Sequence, residues 1–210
     1  VVALLEKQDM EKTQQVLQNI VNAYALDFSK HAENKEIPKL NYRWSSIPSQ
    51  LARDNKKFLY QAVKQGARSR EYEDALLWLS HAGLVHRIFR ISKPGLPLSA
   101  YDDLSAFKLY LIDVGLLRRL SFLDPIAIRE GNRLFMEFKG ALSENFILQH
   151  LIANFEGTPG YWTSGGQAEV DFLIQVRNDI IPIEVKSDEN IRSKSLTIYN
   201  DLYQPPVRIR

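Results

Sequence analysis

Charged residues interrupt two strongly apolar strands between Gly165 and Ser187, and this hairpin constrains the fold more than any other stretch of the sequence. The pattern predicts a first strand over residues 168–176, a turn over 177–179 and a second strand over 180–186. Nearly continuous apolar runs of this kind are typical of strands buried on both faces. A charge inside a buried strand is costly unless it is paired or bound to a metal ion. We therefore expect the charged residues of the hairpin to converge on a site; they are Asp171, Glu184 and Lys186.

The spacing along the hairpin brings two carboxylates and a lysine together. Asp171 and Glu184 have twelve residues between them, and on neighbouring antiparallel strands their carboxylates can meet side by side. Glu184 and Lys186 are two positions apart and therefore share one face of the sheet. Two carboxylates with a backbone carbonyl and water suit Mg²⁺ or Mn²⁺. The lysine can orient or deprotonate a water molecule, or stabilise charge that develops on a phosphate.

A helix expected over residues 136–156 adds a third carboxylate ahead of the hairpin. Glu144 lies within the apolar stripe of this helix. A glutamate at the edge of such a stripe is more often a surface residue whose stem packs against the protein. Because this one precedes a charged hairpin, it is also a candidate ligand for the metal ion or for a second ion. Glu169 shares the face of Asp171 and is a further candidate carboxylate.

The pattern over the first 120 residues predicts two helical units. We expect a helical segment over residues 1–43, with the strongest helical periodicity over 10–28. Over residues 44–120 we expect first a short helix capped by Ser45 or Ser46, followed by two further helices. A strand, a loop rich in proline and glycine, and a second strand then follow. That order is typical of a winged helix, in which the loop is the wing. The third helix is expected over 69–81, and the two strands over 84–91 and 107–112.

Basic residues beside the third helix make nucleic-acid binding one interpretation of this segment, because they could contact phosphates. Acidic residues near the start of the same helix suit its dipole but repel a phosphate backbone. A winged-helix scaffold used for protein packing therefore remains an open alternative. The basic candidates are Arg68, Arg70, Lys56, Lys57 and Lys64, and the acidic residues are Glu71, Glu73 and Asp74.

The helix and hairpin together resemble the restriction-endonuclease-like superfamily, whose signature is an acidic residue, a hairpin and Asp/Glu-x-Lys. The resemblance implies Asp171, Glu184 and Lys186 as catalytic residues, Glu144 as the acid of the helix, and Mg²⁺ as cofactor. It implies Glu144, Asp171 and Glu184 as metal ligands. The sequence departs from the signature in one respect, since Gln-Ala-Glu-Val precedes Asp171 and the Pro-Asp pair is missing.

Phrases along essentially the whole chain resemble one uncharacterised prokaryotic family, the domain that follows the P-loop module in bacterial and archaeal AAA+-type ATPases. They include FKLYLIDVGLL, GALSENFILQHL, AEVDFLI and IPIEVKS. The resemblance implies an α+β fold, with a helical and winged-helix N-terminal part followed by a restriction-endonuclease-like α/β domain over residues 130–210. It also implies an ATPase domain upstream as partner. This chain contains no Gly-x-x-x-x-Gly-Lys-Ser/Thr loop, so ATP would bind only to that upstream domain.

Three functions follow as alternatives. The first is Mg²⁺-dependent cleavage of DNA coupled to the ATPase, and the second is a non-catalytic module that binds nucleic acid or protein for the ATPase. The third is a winged-helix transcription regulator, which would leave the charges of the hairpin without a role. Because the chain begins with Val1 and stops at Arg210 in an expected strand, we expect a fragment that lacks the closing strands after Ile209.

Composition limits the protein class. A hydrophobic content of 45% and a charged content of 25% are ordinary for a globular protein. The absence of cysteine excludes disulfides and thiolate metal sites, and makes a cytoplasmic protein the expectation. A net charge of +2 is too small to indicate nucleic acid by itself. We expect no membrane partner, because no apolar run approaches the roughly 20 residues that span a bilayer.

Overall fold

Strands from both halves of the chain form one five-stranded mixed sheet in this computed structural model, which describes residues 9–51, 69–130, 136–186 and 193–210. The strand order is β2-β1-β3-β4-β5; the β1–β3 pair is parallel and the other pairs are antiparallel. The strands are β1 (Val85–Ile91), β2 (Asp102–Leu111), β3 (Gly160–Thr163), β4 (Glu169–Val176) and β5 (Asp179–Ile183).

Helices of the described residues begin in several places at side-chain caps. Asp9 accepts a hydrogen bond from the N–H of Lys12, Asp113 from that of Leu116 and Ser193 from that of Leu196. None of these helices is long and apolar enough to cross a membrane. The helices are α1 (Met10–His31), α2 (Ile37–Leu51), α3 (Ser69–His81), α4 (Val114–Leu120), α5 (Pro125–Glu130), α6 (Met136–Asn154) and α7 (Lys194–Tyr203), with a 3₁₀ turn at Leu98–Tyr101.

Strand β4, next to the edge of the sheet, contributes to two apolar cores. Phe172 and Ile174 belong to the larger core, which also contains buried residues of α1, α2, α3 and α6. Val170 and Leu173 belong to the smaller core, together with Trp162 and buried residues of α7. Burial of apolar side chains on both sides agrees with the prediction for this strand.

An irregularity in β4 changes which way its side chains point. Gly160 of β3 pairs with Leu173, whereas Trp162 pairs with Val170, so β4 has one extra residue between these pairs. A bulge of this kind redirects side chains, and bulges are common beside functional sites. As a result, the adjacent residues Asp171 and Phe172 both lie near Tyr110 of β2. The rings of Tyr110 and Phe172 are 5.8 Å apart, and the charge of Asp171 contributes to raising the pKa of Tyr110.

Several elements have the bounds that the sequence predicts. The helix expected at 69–81 is confirmed, and the strand expected at 84–91 begins one residue later. The strand expected at 107–112 is longer, because it already begins at Asp102.

Two predicted bounds are wrong. The second strand of the hairpin ends at Ile183 instead of residue 186, because the N–H of Val185 bonds to the side chain of Asp171 at 2.8 Å and so does not bond to the backbone of β4. On the other edge, Ile183 forms a parallel bridge with Ile209. The helix expected from Ser45 or Ser46 begins at Ile37. Its first turn contains a proline, which a first turn tolerates because the N–H there has no helical partner. The second helix of the expected winged helix lies outside the described residues.

Asn145 fixes helix α6 against the end of β2. Its side chain accepts a hydrogen bond from the N–H of Leu111 at 2.9 Å and donates one to the carbonyl of the same residue at 3.0 Å. Asn145 is fully buried, so both backbone groups are satisfied away from water. One turn further along, Gln149 accepts from the N–H of Val114 at 3.2 Å. These bonds hold the helix that carries Glu144 in a fixed position beside β2.

We predict that Asn145→Leu lowers the free energy of unfolding by about 3 kcal/mol, because each buried backbone group left without a partner costs about 1–3 kcal/mol. Urea unfolding followed by circular dichroism measures this loss. The control is Asn154→Ala on the same helix, where the exposed amide bonds only to the carbonyl of His150. Equal effects of the two substitutions would show that Asn145 does not hold α6 in place.

Candidate functional site

A lysine from β2 lies among carboxylates from β4 and α6. The side chain of Lys108 is 1% exposed, and its Nζ is 2.5 Å from Oε1 of Glu169. Burial opposes the positive charge on Lys108, but the carboxylates of Glu144, Glu169 and Asp171 outweigh burial and raise the pKa of Lys108. The lysine therefore remains charged in the interior. We call Lys108, Tyr110, Glu144, Glu169 and Asp171 the buried charge cluster.

Tyr110 supplies a neutral donor to the same cluster. Its hydroxyl donates a hydrogen bond to Oε2 of Glu144 at 2.9 Å. Burial raises the pKa of Tyr110 well above its ordinary value, and the negative charges of Glu144 and Asp171 raise it further. Tyr110 consequently keeps its proton and holds Glu144 in place, although the sequence also allowed Glu144 a position at the surface. Glu144 is in fact 4% exposed.

A second group of polar side chains lies where the chain leaves β5. Oε1 of Glu184 is 2.6 Å from Nζ of Lys186, and Oε2 of Glu184 accepts a hydrogen bond from the hydroxyl of Ser193. Glu184 is buried, whereas the side chain of Lys186 is 44% exposed, so the ammonium group reaches solvent. We call Glu184, Lys186 and Ser193 the rim group.

Asp171 connects the buried charge cluster with the rim group. Its Oδ2 accepts a hydrogen bond from the N–H of Val185 at 2.8 Å. In the ladder between β4 and β5, Phe172 lies opposite Ile183. The ladder ends at this pair, and Asp171 and Glu184 are the next residue on each strand. The two carboxylates therefore belong to neighbouring positions at one end of the hairpin.

The structure thus places the predicted site residues in two contiguous groups. Asp171, Glu184 and Lys186 lie together at the end of the hairpin. The charges of Glu144 and Asp171 both act on Lys108 and Tyr110 and raise the pKa of each. The basic residues predicted to contact nucleic acid are not part of either group. Lys56, Lys57, Lys64 and Arg68 lie outside the described residues, and so does the side chain of Arg70.

The carboxylates differ in how well they suit a metal ion. In the part of the chain that the structure describes, no group of three or more His, Asp or Glu side chains is arranged to hold one. Mg²⁺ keeps several of its waters and needs only one or two carboxylates from the protein. Asp171 and Glu184 provide two carboxylates, and Glu184 already contacts the ammonium group of Lys186. Glu144 and Glu169 interact instead with the ammonium group of Lys108.

Sequence reasoning did not identify Lys108, Tyr110 or Ser193 as members of the site. A signal for Lys108 was present, because it interrupts the apolar strand FKLYLI just as Asp171 interrupts its own strand. Tyr110 and Ser193 could not be predicted from the local sequence, because their roles depend on contacts made only in the folded chain. Tyr110 meets Glu144 34 positions away in the sequence. Ser193 has the ordinary role of a helix cap and also donates to Glu184.

We predict that Lys108→Met lowers the free energy of unfolding at neutral pH by about 3–5 kcal/mol, because it leaves buried carboxylates without their cation. The folded-state pKa of Lys108 is raised, so its contribution is complete below the ordinary lysine pKa of 10.5 and is lost as the pH rises through the higher folded value. The difference in unfolding free energy between wild type and variant should therefore shrink only above pH 10.5. Urea unfolding over a series of pH values measures it.

The control for this prediction is Lys30→Met on α1. Lys30 is exposed and pairs with Asp27 at 3.3 Å, so its removal should change stability by less than about 1 kcal/mol. A loss for Lys108→Met as small as that for Lys30→Met would contradict the structural role of the buried charge cluster.

Comparisons with known proteins divide the chain in two. A family model described as "Domain of unknown function (DUF8612)" matches residues 2–127, and one described as "Domain of unknown function (DUF4143)" matches residues 139–209. DUF4143 is known as a C-terminal region of AAA-type ATPases. No curated protein and no solved structure matches the chain.

The site draws residues from both matched regions. Strands β1 and β2 belong to the first region and β3–β5 to the second, yet all five form one sheet. Lys108 of the first region pairs with Glu169 of the second. The two regions are therefore joined by the buried charge cluster as well as by the sheet.

Proposed function

Because the chain belongs to the DUF8612 family and also carries a DUF4143 region, we propose that it is the C-terminal, nuclease-like module of a prokaryotic AAA+-type ATPase. The ATPase domain upstream is its partner, and ATP binds only there. The proposed activity of the module itself is Mg²⁺-dependent cleavage of DNA in the cytoplasm.

The order of elements supports the proposed folds. In the second half, α6, β3, β4, β5 and α7 follow one another, and the chain then returns to bridge beside β5 at Ile209. A helix, an antiparallel meander, a second helix and a parallel return are what we expect of a restriction-endonuclease-like core. In the first half, α3, β1 and β2 follow in the order proposed for a winged helix.

One observation carries the proposed activity: the bond from the N–H of Val185 to Asp171 holds that carboxylate against the Glu184–Lys186 segment. Asp171 and Glu184 are the residues that would hold Mg²⁺. The cation would supply Lewis-acid polarisation of a phosphoryl oxygen. Lys186 is anchored at Glu184 by a 2.6 Å contact but remains exposed, so it can donate to a phosphodiester that approaches from solvent.

A second candidate function is a non-catalytic module that binds nucleic acid or a protein for the same ATPase. The observation that favours it is the position of Lys108, which already balances part of the charge of Glu144, Glu169 and Asp171. A cluster that is satisfied by its own lysine can be structural, since buried ion pairs of this kind also fix how elements pack. The two candidates differ in whether the rim group acts on a bound phosphate.

We predict that the 210-residue protein cleaves plasmid DNA in the presence of Mg²⁺ or Mn²⁺ and that EDTA abolishes cleavage. Asp171→Asn and Lys186→Met should each lower the rate roughly 100-fold or more, which is typical of the loss of one group that stabilises developing charge. Gel electrophoresis of supercoiled, linear and single-stranded DNA measures the rates. The control Lys30→Met should cleave at the wild-type rate.

Circular dichroism and urea unfolding decide whether an inactive sample is folded. If folded wild-type protein cuts neither DNA nor RNA with either ion, the nuclease proposal is wrong and the binding module remains.

For the binding module, we predict gel shifts with duplex or single-stranded DNA that weaken as salt is raised from about 50 to 200 mM, because binding to phosphates releases counterions. Asp171→Asn should bind as tightly as wild type, since it removes no positive charge. If neither protein shifts either form of DNA at any salt concentration, nucleic-acid binding is excluded, and a protein partner is the remaining version of this candidate.

A further inference from the structure

Two lysines lie beside Glu184 at the end of the hairpin. Nζ of Lys186 is 2.6 Å from Oε1 of Glu184. The hydroxyl of Ser193 donates a hydrogen bond to Oε2 of the same carboxylate, and Lys194 follows Ser193 as the first residue of α7. The side chain of Lys186 is 44% exposed, and Lys194 is exposed as well. Both lysines therefore present a positive charge to solvent near this carboxylate.

The returning C-terminal segment brings two arginines to the same end of the hairpin. Ile209 forms a parallel bridge with Ile183, and its carbonyl accepts a hydrogen bond from the N–H of Glu184 at 3.0 Å. Arg208 and Arg210 flank Ile209 in the sequence, and both are exposed. The bridge therefore fixes two positively charged residues at the edge of the sheet beside Glu184.

Three of these four cations are not used to balance acids of the protein. In the part of the chain that the structure describes, Lys194, Arg208 and Arg210 form no ion pair with a carboxylate. Lys194 also lies in the first turn of α7, where the helix dipole disfavours a positive charge. The lysine therefore does not stabilise its own helix. Exposed cations of this kind are available to a negatively charged ligand.

We propose that Lys186, Lys194, Arg208 and Arg210, which we call the basic patch, bind the phosphate backbone of DNA at the end of the hairpin. The inference rests on the proposed function, because the patch would hold DNA against the proposed cleavage site. Lysine and arginine contacts to phosphates position a protein on DNA without reading the base sequence. The second half of the chain then supplies phosphate contacts itself, independently of the basic residues beside α3.

The test measures binding of a fluorescently labelled DNA duplex by fluorescence anisotropy, in EDTA so that no DNA is cut. The triple variant Lys194→Gln/Arg208→Gln/Arg210→Gln leaves Lys186 of the proposed cleavage site in place. Each phosphate contact contributes about 0.9 to the slope of log affinity against log salt concentration for duplex DNA. The triple variant should therefore have a slope that is shallower by roughly 2–3, and should bind roughly tenfold or more weakly at about 100 mM KCl.

Two controls separate the position of the charges from net charge and from folding. Lys12→Gln/Lys30→Gln/Lys35→Gln removes three charges from exposed positions in the first half of the chain and should keep the wild-type slope. Exchange of lysine for arginine, and of arginine for lysine, at the three tested positions of the basic patch keeps each charge and should also keep that slope. Wild-type protein that does not bind the duplex, a triple patch variant with the wild-type slope, or an equal loss in the distant control overturns the inference.

The two proposals fail in different ways. If wild type binds DNA through the basic patch but cuts none with Mg²⁺ or Mn²⁺, the proposed cleavage is wrong and the role of the patch stands. If wild type cleaves DNA and the triple patch variant binds and cleaves DNA as well as wild type does, the proposed function stands and the role of the patch is wrong.

Discussion

The ion pair between the buried Lys108 and the partly exposed Glu169 is the interaction on which the rest of the site depends. A fully buried ammonium group is costly, and only carboxylates that remain close can compensate it. Because Lys108 is on β2 while Glu169 is on β4, this requirement links two strands that are not neighbours in the sheet. The pair also depends on Glu144 of α6. Tyr110 donates a hydrogen bond to Glu144, and Asn145 holds α6 against the same strand.

That linkage explains why the two matched family regions form one structural unit. The region matched by DUF8612 contributes β1, β2 and the lysine, and the region matched by DUF4143 contributes the hairpin and the acids. A hydrogen bond from the N–H of Leu98 to the side chain of Gln175, 2.8 Å long, adds a further connection between the halves. Motion of the first half would therefore disturb the site.

Much of the site could be predicted from local patterns, and the rest depends on contacts far apart in sequence. Asp171, Glu184 and Lys186 could be predicted as site residues because they are charges within apolar strands. The short turn between these strands indicated that the strands pair with each other. Lys108 also interrupts an apolar strand, but its pairing could not be predicted locally because its partner Glu169 is 61 positions away. The bulge in β4, which turns Asp171 and Phe172 toward the same neighbour, leaves no local signal, because it arises from pairing with β3. The early end of β5 likewise depends on a tertiary contact, since the N–H of Val185 bonds to the side chain of Asp171.

We propose that Asp171 and Glu184 hold a divalent ion at the end of the hairpin, while Lys108 pairs with Glu169. Anomalous diffraction from crystals grown with Mn²⁺ tests this proposal directly, because it locates the metal without reference to activity. We expect a peak at about 2.0–2.6 Å from carboxylate oxygens of Asp171 and Glu184, with the ammonium group of Lys108 still beside Glu169. A peak between Glu144 and Glu169, or no peak at the hairpin at saturating Mn²⁺, would contradict it.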